Sequence, residues 1–150
     1  MKTILITGAS SGIGCALAKI YAENSHNLVL VARREEKLKD LKEELEKKHS
    51  ISVIIEVMDL SKKENLEILS LKYKNIDVLI NNAGLGQYGK FDSYNLETDI
   101  SMINLNILTP IILTKFFAKS MKSGSKIINI ASTAGFQPVP LMATYSATKS

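Results

Sequence analysis

Short apolar runs alternate along the chain with longer segments in which apolar residues recur every three or four positions. The first run, Ile4–Thr7, is rich in β-branched residues and is closed by Gly8, which predicts a buried strand. Gly14–Glu23 follows with helical periodicity. The inward stripe of this helix is expected to consist of Leu17, Ala18, Ile20 and Tyr21.

The same alternation continues to the end of the chain. Further strands are predicted at Asn27–Ala32, Ile51–Val57, Ile76–Ile80 and Lys126–Ala131. Further helices are predicted at Glu35–Lys48 (Leu38, Leu41 and Leu45 inward), at Lys62–Lys72 (Leu66 and Leu69 inward), at about Glu97–Met121, and from near Tyr145 onward. Because strands apolar on both faces alternate with helices, we predict an α/β fold with a doubly wound, Rossmann-like parallel sheet in three layers. A single domain is expected over residues 1–150.

Composition and charge exclude several classes of function. The net charge of +4 is modest, and the lysines of Lys37–Lys48 are interleaved with acidic residues, which favours a solvated helix face over a nucleic-acid surface. Cys15 is the only cysteine, and His26 and His49 are isolated, so neither a disulfide framework nor a metal site is predicted. No signal peptide and no uncharged apolar stretch of about 18 residues is found, so we expect no membrane span and a cytoplasmic location.

The junction between the first strand and the first helix is rich in glycine. Its sequence, Thr7–Gly14, places Gly8, Gly12 and Gly14 around two serines. Glycine lets the backbone turn sharply and lets phosphate oxygens approach, while the free N–H groups and dipole of the following helix attract the anion. An ordinary tight turn is the alternative. No Gly-Lys-Ser/Thr is present, which argues against a P-loop kinase or GTPase.

The glycine spacing of this turn, Gly-x-x-x-Gly-x-Gly, resembles that of the short-chain dehydrogenase/reductase family. Asn82-Ala83-Gly84 after the fourth strand resembles the second marker of the family, and the resemblance covers the whole chain from Met1 to Ser150. It implies a dinucleotide-binding oxidoreductase, with Asp59 near the adenine. By resemblance, the residues that hold the cofactor are Gly8, Ser10, Ser11, Gly12, Ile13, Gly14, Asp59, Leu60, Asn82, Ala83, Gly84, Tyr145 and Lys149.

The end of the second strand indicates which dinucleotide is preferred. An NAD site usually carries an acidic residue there, which accepts from the ribose 2′-hydroxyl. Here Arg33 and Arg34 follow the strand, and Glu35 and Glu36 begin the next helix. A guanidinium can pair with the 2′-phosphate of NADP in bidentate fashion. We therefore predict an NADP preference through Arg33 with Arg34 as a helper; the alternative is that both are solvated loop residues.

Tyr145 and Lys149 are four residues apart, which on a helix places them on one face. Reduction of a carbonyl needs a proton donor, but a free tyrosine ionises only near pH 10. A neighbouring ammonium stabilises the phenolate and makes tyrosine a usable acid or base nearer neutrality. Ser132 follows the fifth strand, at the sheet edge where ligands gather, and its hydroxyl could hold the substrate oxygen. The serine-to-tyrosine interval of the family selects Ser132 over Thr133.

Resemblance assigns the fourth catalytic position to Asn106 on the long helix. Pro110, four residues later, has no N–H, so the backbone carbonyl of Asn106 loses its helical partner. A freed carbonyl needs another donor, and an ordered water would serve. Such a water would link Lys149 to solvent, the role that the family gives to this position. The alternative is a simple helix kink with Asn104 and Asn106 at the surface.

Three functions stay open. The first is an NADP(H)-dependent oxidoreductase acting on a small carbonyl or alcohol, a homo-oligomer when full length. The second is a non-catalytic nucleotide-binding or regulatory protein, and the third is an epimerase or dehydratase, whose glycine spacing is usually shorter. Gly135–Met142 is expected to line an apolar pocket. Because family members continue past the helix of Tyr145 and Lys149, we expect the native chain to extend beyond Ser150, and the activity of the isolated chain is open.

Overall fold

The computed structural model describes residues 1–150 and contains one parallel sheet. Its strands are β1 (Thr3–Thr7), β2 (Asn27–Ala32), β3 (Val53–Val57), β4 (Val78–Asn81) and β5 (Lys126–Asn129). The strand order is β3-β2-β1-β4-β5, with every pairing parallel. The chain reverses its direction of strand addition beside β1, so a crevice opens at the carboxyl ends of β1 and β4. The predicted doubly wound parallel sheet is confirmed.

Helices cover both faces of the sheet. They are α1 (Gly12–Glu23), α2 (Glu35–Lys48), α3 (Lys63–Lys72), α4 (Leu96–Ile103), α5 (Thr109–Ala118) and α6 (Ala143–Lys149). A π-helical turn, Asn104–Leu108, joins α4 to α5 into one helix that runs from Leu96 to Ala118. The sequence predicts this long helix but not its π-helical turn.

The central strand supplies the core of both faces, because successive side chains of a strand point in opposite directions. Ile4 and Ile6 of β1 pack on the side of α1 and α2, and Leu5 packs on the side of α3 and α5. All three side chains are fully buried. Leu38, Leu41, Leu45, Leu66 and Leu69 are buried as the helical periodicity predicts.

The predicted inward stripe of α1 is confirmed at Ala18, which is buried, and at Leu17 and Tyr21, which pack against the core, but it is wrong at Ile20. The buried residues of α1 are Gly14, Ala18 and Ala22, spaced four apart, whereas Ile20 is 52% exposed. Ile20 lies two residues after Ala18 and therefore about 200° around the helix axis. Hydrophobic periodicity gives most weight to large apolar side chains, but the fully buried positions of this helix carry small residues. These small residues let the helix lie close to the sheet.

The helix Leu96–Ala118 is 23 residues long and, with a mean hydropathy of 1.5 over its most apolar window, could cross a membrane by length and composition alone. This differs from the expectation of no such segment. Met102, Asn106, Leu113 and Phe117 are nevertheless buried within the domain, and one helix of this kind is weak ground for a membrane location. Its outer side exposes apolar side chains, among them Ile100, Ile103, Leu108, Ile111 and Phe116.

Candidate active site

A cleft of about 830 Å³ opens at the carboxyl edge of the sheet, where the strand order reverses. It brings together segments that are far apart in the sequence. The predicted site residues that line it are Gly8, Ser10, Ser11, Ile13, Arg33, Arg34, Asp59, Leu60, Asn82, Ala83, Gly84, Ser132, Tyr145 and Lys149. The predicted residues that do not line it are Gly12, Gly14 and Asn106.

The three glycines of the first turn have different surroundings. Gly8 has a φ of +68°, and a Cβ there would lie 2.8 Å from the Cα of Ala83. A Cβ on Gly14 would lie 2.5 Å from the carbonyl oxygen of Gly8. Gly12 also has a positive φ, +56°, but a Cβ there would meet nothing within 4 Å. Gly8 and Gly14 are thus required for close backbone packing, whereas Gly12 leaves open space above the start of α1.

Thr7 fixes the turn against the loop that follows β4. Its buried hydroxyl accepts hydrogen bonds from the backbone N–H groups of Asn82 (2.9 Å) and Ala83 (3.0 Å). The side-chain amide of Asn82 donates in return to the backbone carbonyls of Thr7 (2.9 Å) and Gly8 (3.2 Å). Thr7 is not among the site residues predicted from the sequence. The signal for it is a hydroxyl at the last position of β1, just before the glycine turn.

Arg34, predicted as a helper, is the arginine that contacts the glycine turn. Its Nε and Nη2 donate to the hydroxyl of Ser10 at 3.1 and 2.9 Å, and Nη2 also donates to the hydroxyl of Ser11. Arg33 is exposed beside it and lines the same cleft. Both arginines therefore line the cleft, although only Arg34 contacts the turn, and no acidic residue ends β2.

Asp59 closes the cleft next to this pair. Burial raises the pKa of its carboxyl group, but hydrogen bonds from Ser61 (3.0 Å from N–H, 2.8 Å from the hydroxyl) and the charge of Arg33 outweigh it and leave the pKa below the ordinary value. The backbone of the following residue, Leu60, is fixed by a hydrogen bond of 2.6 Å that its carbonyl oxygen accepts from the Thr109 hydroxyl. The carboxylate of Asp59 is therefore ionised at neutral pH.

Tyr145 and Lys149 lie on one face of α6, as their spacing predicts. Lys149 Nζ lies 6.0 Å from the centroid of the Tyr145 ring and donates to the backbone carbonyl of Ile130 at 3.2 Å. The Tyr145 ring packs beside Gly86, where a Cβ would lie 3.3 Å from Tyr145 Cδ2. Ser132 lines the same cleft, after β5, and its hydroxyl accepts from the N–H of Ala134 at 3.2 Å.

Asn106 lies in the π-helical turn and is only 7% exposed. Its side-chain Oδ1 accepts from the N–H of Leu85, and its Nδ2 donates to the carbonyl of Leu85 and to the hydroxyl of Thr148, each at 2.8 Å. The alternative that Asn106 is a surface residue is wrong. The turn ends with the N–H of Thr109 donating to the carbonyl of Asn104, directly before Pro110. The predicted water at the Asn106 carbonyl stays a prediction.

Comparisons with known proteins agree with this geometry. A family model described as "short chain dehydrogenase" matches residues 2–150. An 11-beta-hydroxysteroid dehydrogenase-like 4A of Arabidopsis thaliana is 37% identical over 155 residues, which cover 99% of this chain and 52% of that protein. The chain spans about half the length of the first curated relatives that it matches.

Solved structures show the same fold. A bulky-bulky ketone specific alcohol dehydrogenase from Comamonas testosteroni matches with a TM-score of 0.94 and 35% identity, over 99% of this chain and 62% of that one. A short-chain dehydrogenase from Sphingobium yanoikuyae in complex with NADPH matches with a TM-score of 0.93 and 37% identity, over 99% and 61% of the two chains.

Proposed function

The chain belongs to the short-chain dehydrogenase family, and on this premise we propose that the protein is an oxidoreductase that transfers a hydride between NADP(H) and a carbonyl or alcohol substrate. One observation carries the proposal. The glycine turn, the arginine pair and the group of Ser132, Tyr145 and Lys149 line a single cleft. A site for a phosphorylated cofactor and a site for proton transfer therefore meet in one place.

The residues of the cleft fit a dinucleotide phosphate. Gly12 leaves open space at the amino end of α1, where free N–H groups and the helix dipole attract an anion. Arg34 reaches over this turn and Arg33 lies beside it, which suits the additional phosphate of NADP better than a ribose hydroxyl. The relative from Sphingobium yanoikuyae, which is in complex with NADPH, supports the same choice. When bound, the cofactor would donate or accept the hydride.

The chain's own residues supply the proton chemistry. During reduction the Tyr145 hydroxyl would give its proton to the substrate oxygen, and the positive charge of Lys149 would stabilise the phenolate that is left. The Ser132 hydroxyl would donate to the same substrate oxygen and orient it. Asn106 would hold, at its backbone carbonyl, the water that returns a proton towards Lys149. In the direction of alcohol oxidation the same residues would act in reverse.

The substrate end of the cleft is lined by uncharged side chains. Leu85, Gln87, Tyr88 and Met142 line the same cleft as Tyr145. These four side chains offer an ionised substrate no opposite charge, and the ammonium group of Lys149 is assigned above to the Tyr145 phenolate. We therefore propose neutral ketones or aldehydes as the class to test. The relative from Comamonas testosteroni is named for bulky ketones, which supports their inclusion.

We also propose that the protein forms a homo-oligomer through the outer side of the helix Leu96–Ala118. Ile100, Ile103, Ile111 and Phe116 are each exposed by 40% or more, and contiguous exposed apolar surface is typical of protein contacts. Symmetric self-association is the commonest way in which such a surface is covered. A cytoplasmic location stays a prediction from the sequence.

The decisive experiment measures NADPH oxidation with a panel of neutral ketones and aldehydes. We expect turnover that Tyr145→Phe lowers by about 10²- to 10⁴-fold, the usual contribution of a general acid. NADPH affinity, measured by fluorescence titration, should fall much less than turnover in this variant, because the glycine turn and the arginine pair are unchanged. Tyr21→Phe is the matched control, because Tyr21 packs against the core on the side of α1 and not in the cleft. Tight NADPH binding without reduction of any carbonyl would instead favour the non-catalytic alternative.

A further inference from the structure

Thr148 is a buried hydroxyl that the reaction outlined above does not use. It lies on α6, one residue before Lys149 and three after Tyr145, and is 9% exposed. Its hydroxyl accepts a hydrogen bond from Asn106 Nδ2 at 2.8 Å and donates one to the backbone carbonyl of Tyr145 at 2.7 Å. This single oxygen therefore joins α6 to the π-helical turn.

The direction of each hydrogen bond in this group follows from the chemistry of its members. The N–H of Leu85 can only donate, so the side-chain oxygen of Asn106 must face it and the amide nitrogen must face Thr148. Thr148 therefore accepts from Asn106, and its one hydroxyl proton goes to the Tyr145 carbonyl. These hydrogen bonds connect the loop after β4, the π-helical turn and α6, and the donor and the acceptor of each bond are fixed.

We propose that Thr148 is a positioning residue, whose hydroxyl holds the helix of Tyr145 and Lys149 against Asn106 of the π-helical turn. The consequence for the reaction rests on the function proposed above. The consequence for the structure does not. Without this hydroxyl, one amide proton of Asn106 is left buried without a partner, and α6 loses its direct side-chain link to the π-helical turn.

The position of Thr148 makes this role specific to catalysis. Lys149 follows it directly, so a shift of α6 moves the ammonium group and the Tyr145 ring together relative to Ser132, which lies on a different segment. A loose α6 would leave the glycine turn and the arginine pair unchanged, because those residues belong to β1, α1 and the end of β2. Tyr145 and Lys149 are also predicted to contact the cofactor, so we expect kcat to fall more than NADPH affinity.

The test compares three substitutions on α6. Thr148→Val keeps the branched shape and removes the hydroxyl, and Thr148→Ser keeps the hydroxyl. Thr144→Val is the matched control, because the Thr144 side chain makes no hydrogen bond and lies on the same helix. The first readout is hydrogen–deuterium exchange of the α6 amides, and the second is the reduction of 4-nitrobenzaldehyde by NADPH, with kcat and the Kd of NADPH measured separately.

For Thr148→Val we expect exchange in α6 to be faster by about tenfold or more. We also expect kcat to fall by about tenfold, with a smaller change in the Kd of NADPH. Thr148→Ser should restore both, and Thr144→Val should change neither. Unchanged exchange in Thr148→Val, or equal loosening in Thr144→Val, overturns the inference. The exchange measurement needs no turnover: if the original protein reduces nothing, the proposed function fails, while exchange still decides the role of Thr148.

Discussion

Arg34 donates two hydrogen bonds to the hydroxyl of Ser10, at 2.9 and 3.1 Å, across the gap between the end of β2 and the glycine turn. A positive charge is thereby held at the amino end of α1, where the helix dipole already favours an anion. The sequence assigns the 2′-phosphate mainly to Arg33, whereas the contacts with the turn belong to its neighbour. The two arginines can be separated by experiment.

Arg33→Ala and Arg34→Ala are each expected to lower the preference for NADPH over NADH. Loss of one charge-assisted hydrogen bond to a phosphate should reduce the ratio of affinities by about 10- to 100-fold. Fluorescence titration of both cofactors with each variant measures this ratio. Lys37→Ala, on the exposed face of α2, is the control. An unchanged ratio in Arg33→Ala would assign the preference to Arg34 alone, and no change in either would exclude an arginine-based preference.

Gly12→Ala and Gly14→Ala are expected to impair different properties: the first mainly lowers NADPH affinity, and the second mainly lowers stability. At Gly12 a methyl group meets nothing within 4 Å, so the left-handed backbone alone costs stability, about 1 kcal/mol. The methyl group nevertheless fills the space above the start of α1, so NADPH affinity should fall steeply. At Gly14 the methyl group meets the Gly8 carbonyl oxygen, and the free energy of unfolding should fall by about 3 kcal/mol. Urea denaturation and NADPH titration distinguish the two; normal NADPH binding by Gly12→Ala would show that the phosphates lie elsewhere.

Pro110→Ala tests the water predicted at the Asn106 carbonyl. Alanine restores an N–H four residues after Asn106, which can donate to this carbonyl and displace the water. We expect kcat to fall by about tenfold, a modest share of acid–base catalysis, with the Kd of NADPH unchanged. Circular dichroism should show equal or greater helix content. If kcat stays the same, the water does not take part in the reaction.

A hydrogen-bonded cluster of Glu56, Lys72 and Tyr73 joins the edge strand β3 to the end of α3. Glu56 accepts from Lys72 Nζ at 2.6 Å and from the Tyr73 hydroxyl. The pKa of Tyr73 is raised well above its ordinary value. Burial is the largest cause, and the hydrogen bond to Glu56 and the negative charge of Glu56 add to it. The neutral phenol is therefore favoured by the folded state. Its contribution to stability is complete below about pH 10, where a free tyrosine ionises, and is lost as the pH rises through the higher folded-state pKa.

The stability of the original protein should therefore decline more steeply above about pH 10 than that of Tyr73→Phe, which lacks the ionising group. Below that pH, Tyr73→Phe should be less stable by about 1 kcal/mol, because Glu56 loses one hydrogen bond. Urea denaturation at several pH values gives both quantities. Tyr21→Phe serves as the control, and parallel pH dependence of the two variants would contradict the raised pKa.

Much of the fold could be predicted because hydrophobic periodicity is local. Asn27–Ala32 and Glu35–Lys48 begin and end where the pattern predicts. β5 ends at Asn129, two residues before the predicted end, because the apolar run continues past the last paired residue. The exposure of Ile20 was missed because the tight approach of α1 depends on small residues, which carry little hydrophobic signal.

The candidate site could be predicted where a motif has fixed spacing, as in the glycine turn and the pair Tyr145 and Lys149. The supporting hydroxyls could not. Thr7 and Thr148 act through hydrogen bonds to residues that are distant in the sequence, and no local spacing reveals those partners. The contact of Arg34 with Ser10 depends likewise on how the end of β2 faces the turn.

The π-helical turn Asn104–Leu108 has the geometry of a one-residue insertion in an otherwise regular helix. Each residue of an α-helix advances by about 100°, so this extra residue rotates α5 relative to α4 by about that angle. Deleting one residue between Asn104 and Leu108 would therefore give a more regular helix and a worse protein. After such a deletion, either Asn106 would turn away from Leu85 and Thr148, or Leu113 and Phe117 would leave the core. The contacts on the two sides of the π-helical turn therefore fix the length of the helix at this point, although a regular helix would form with one residue fewer.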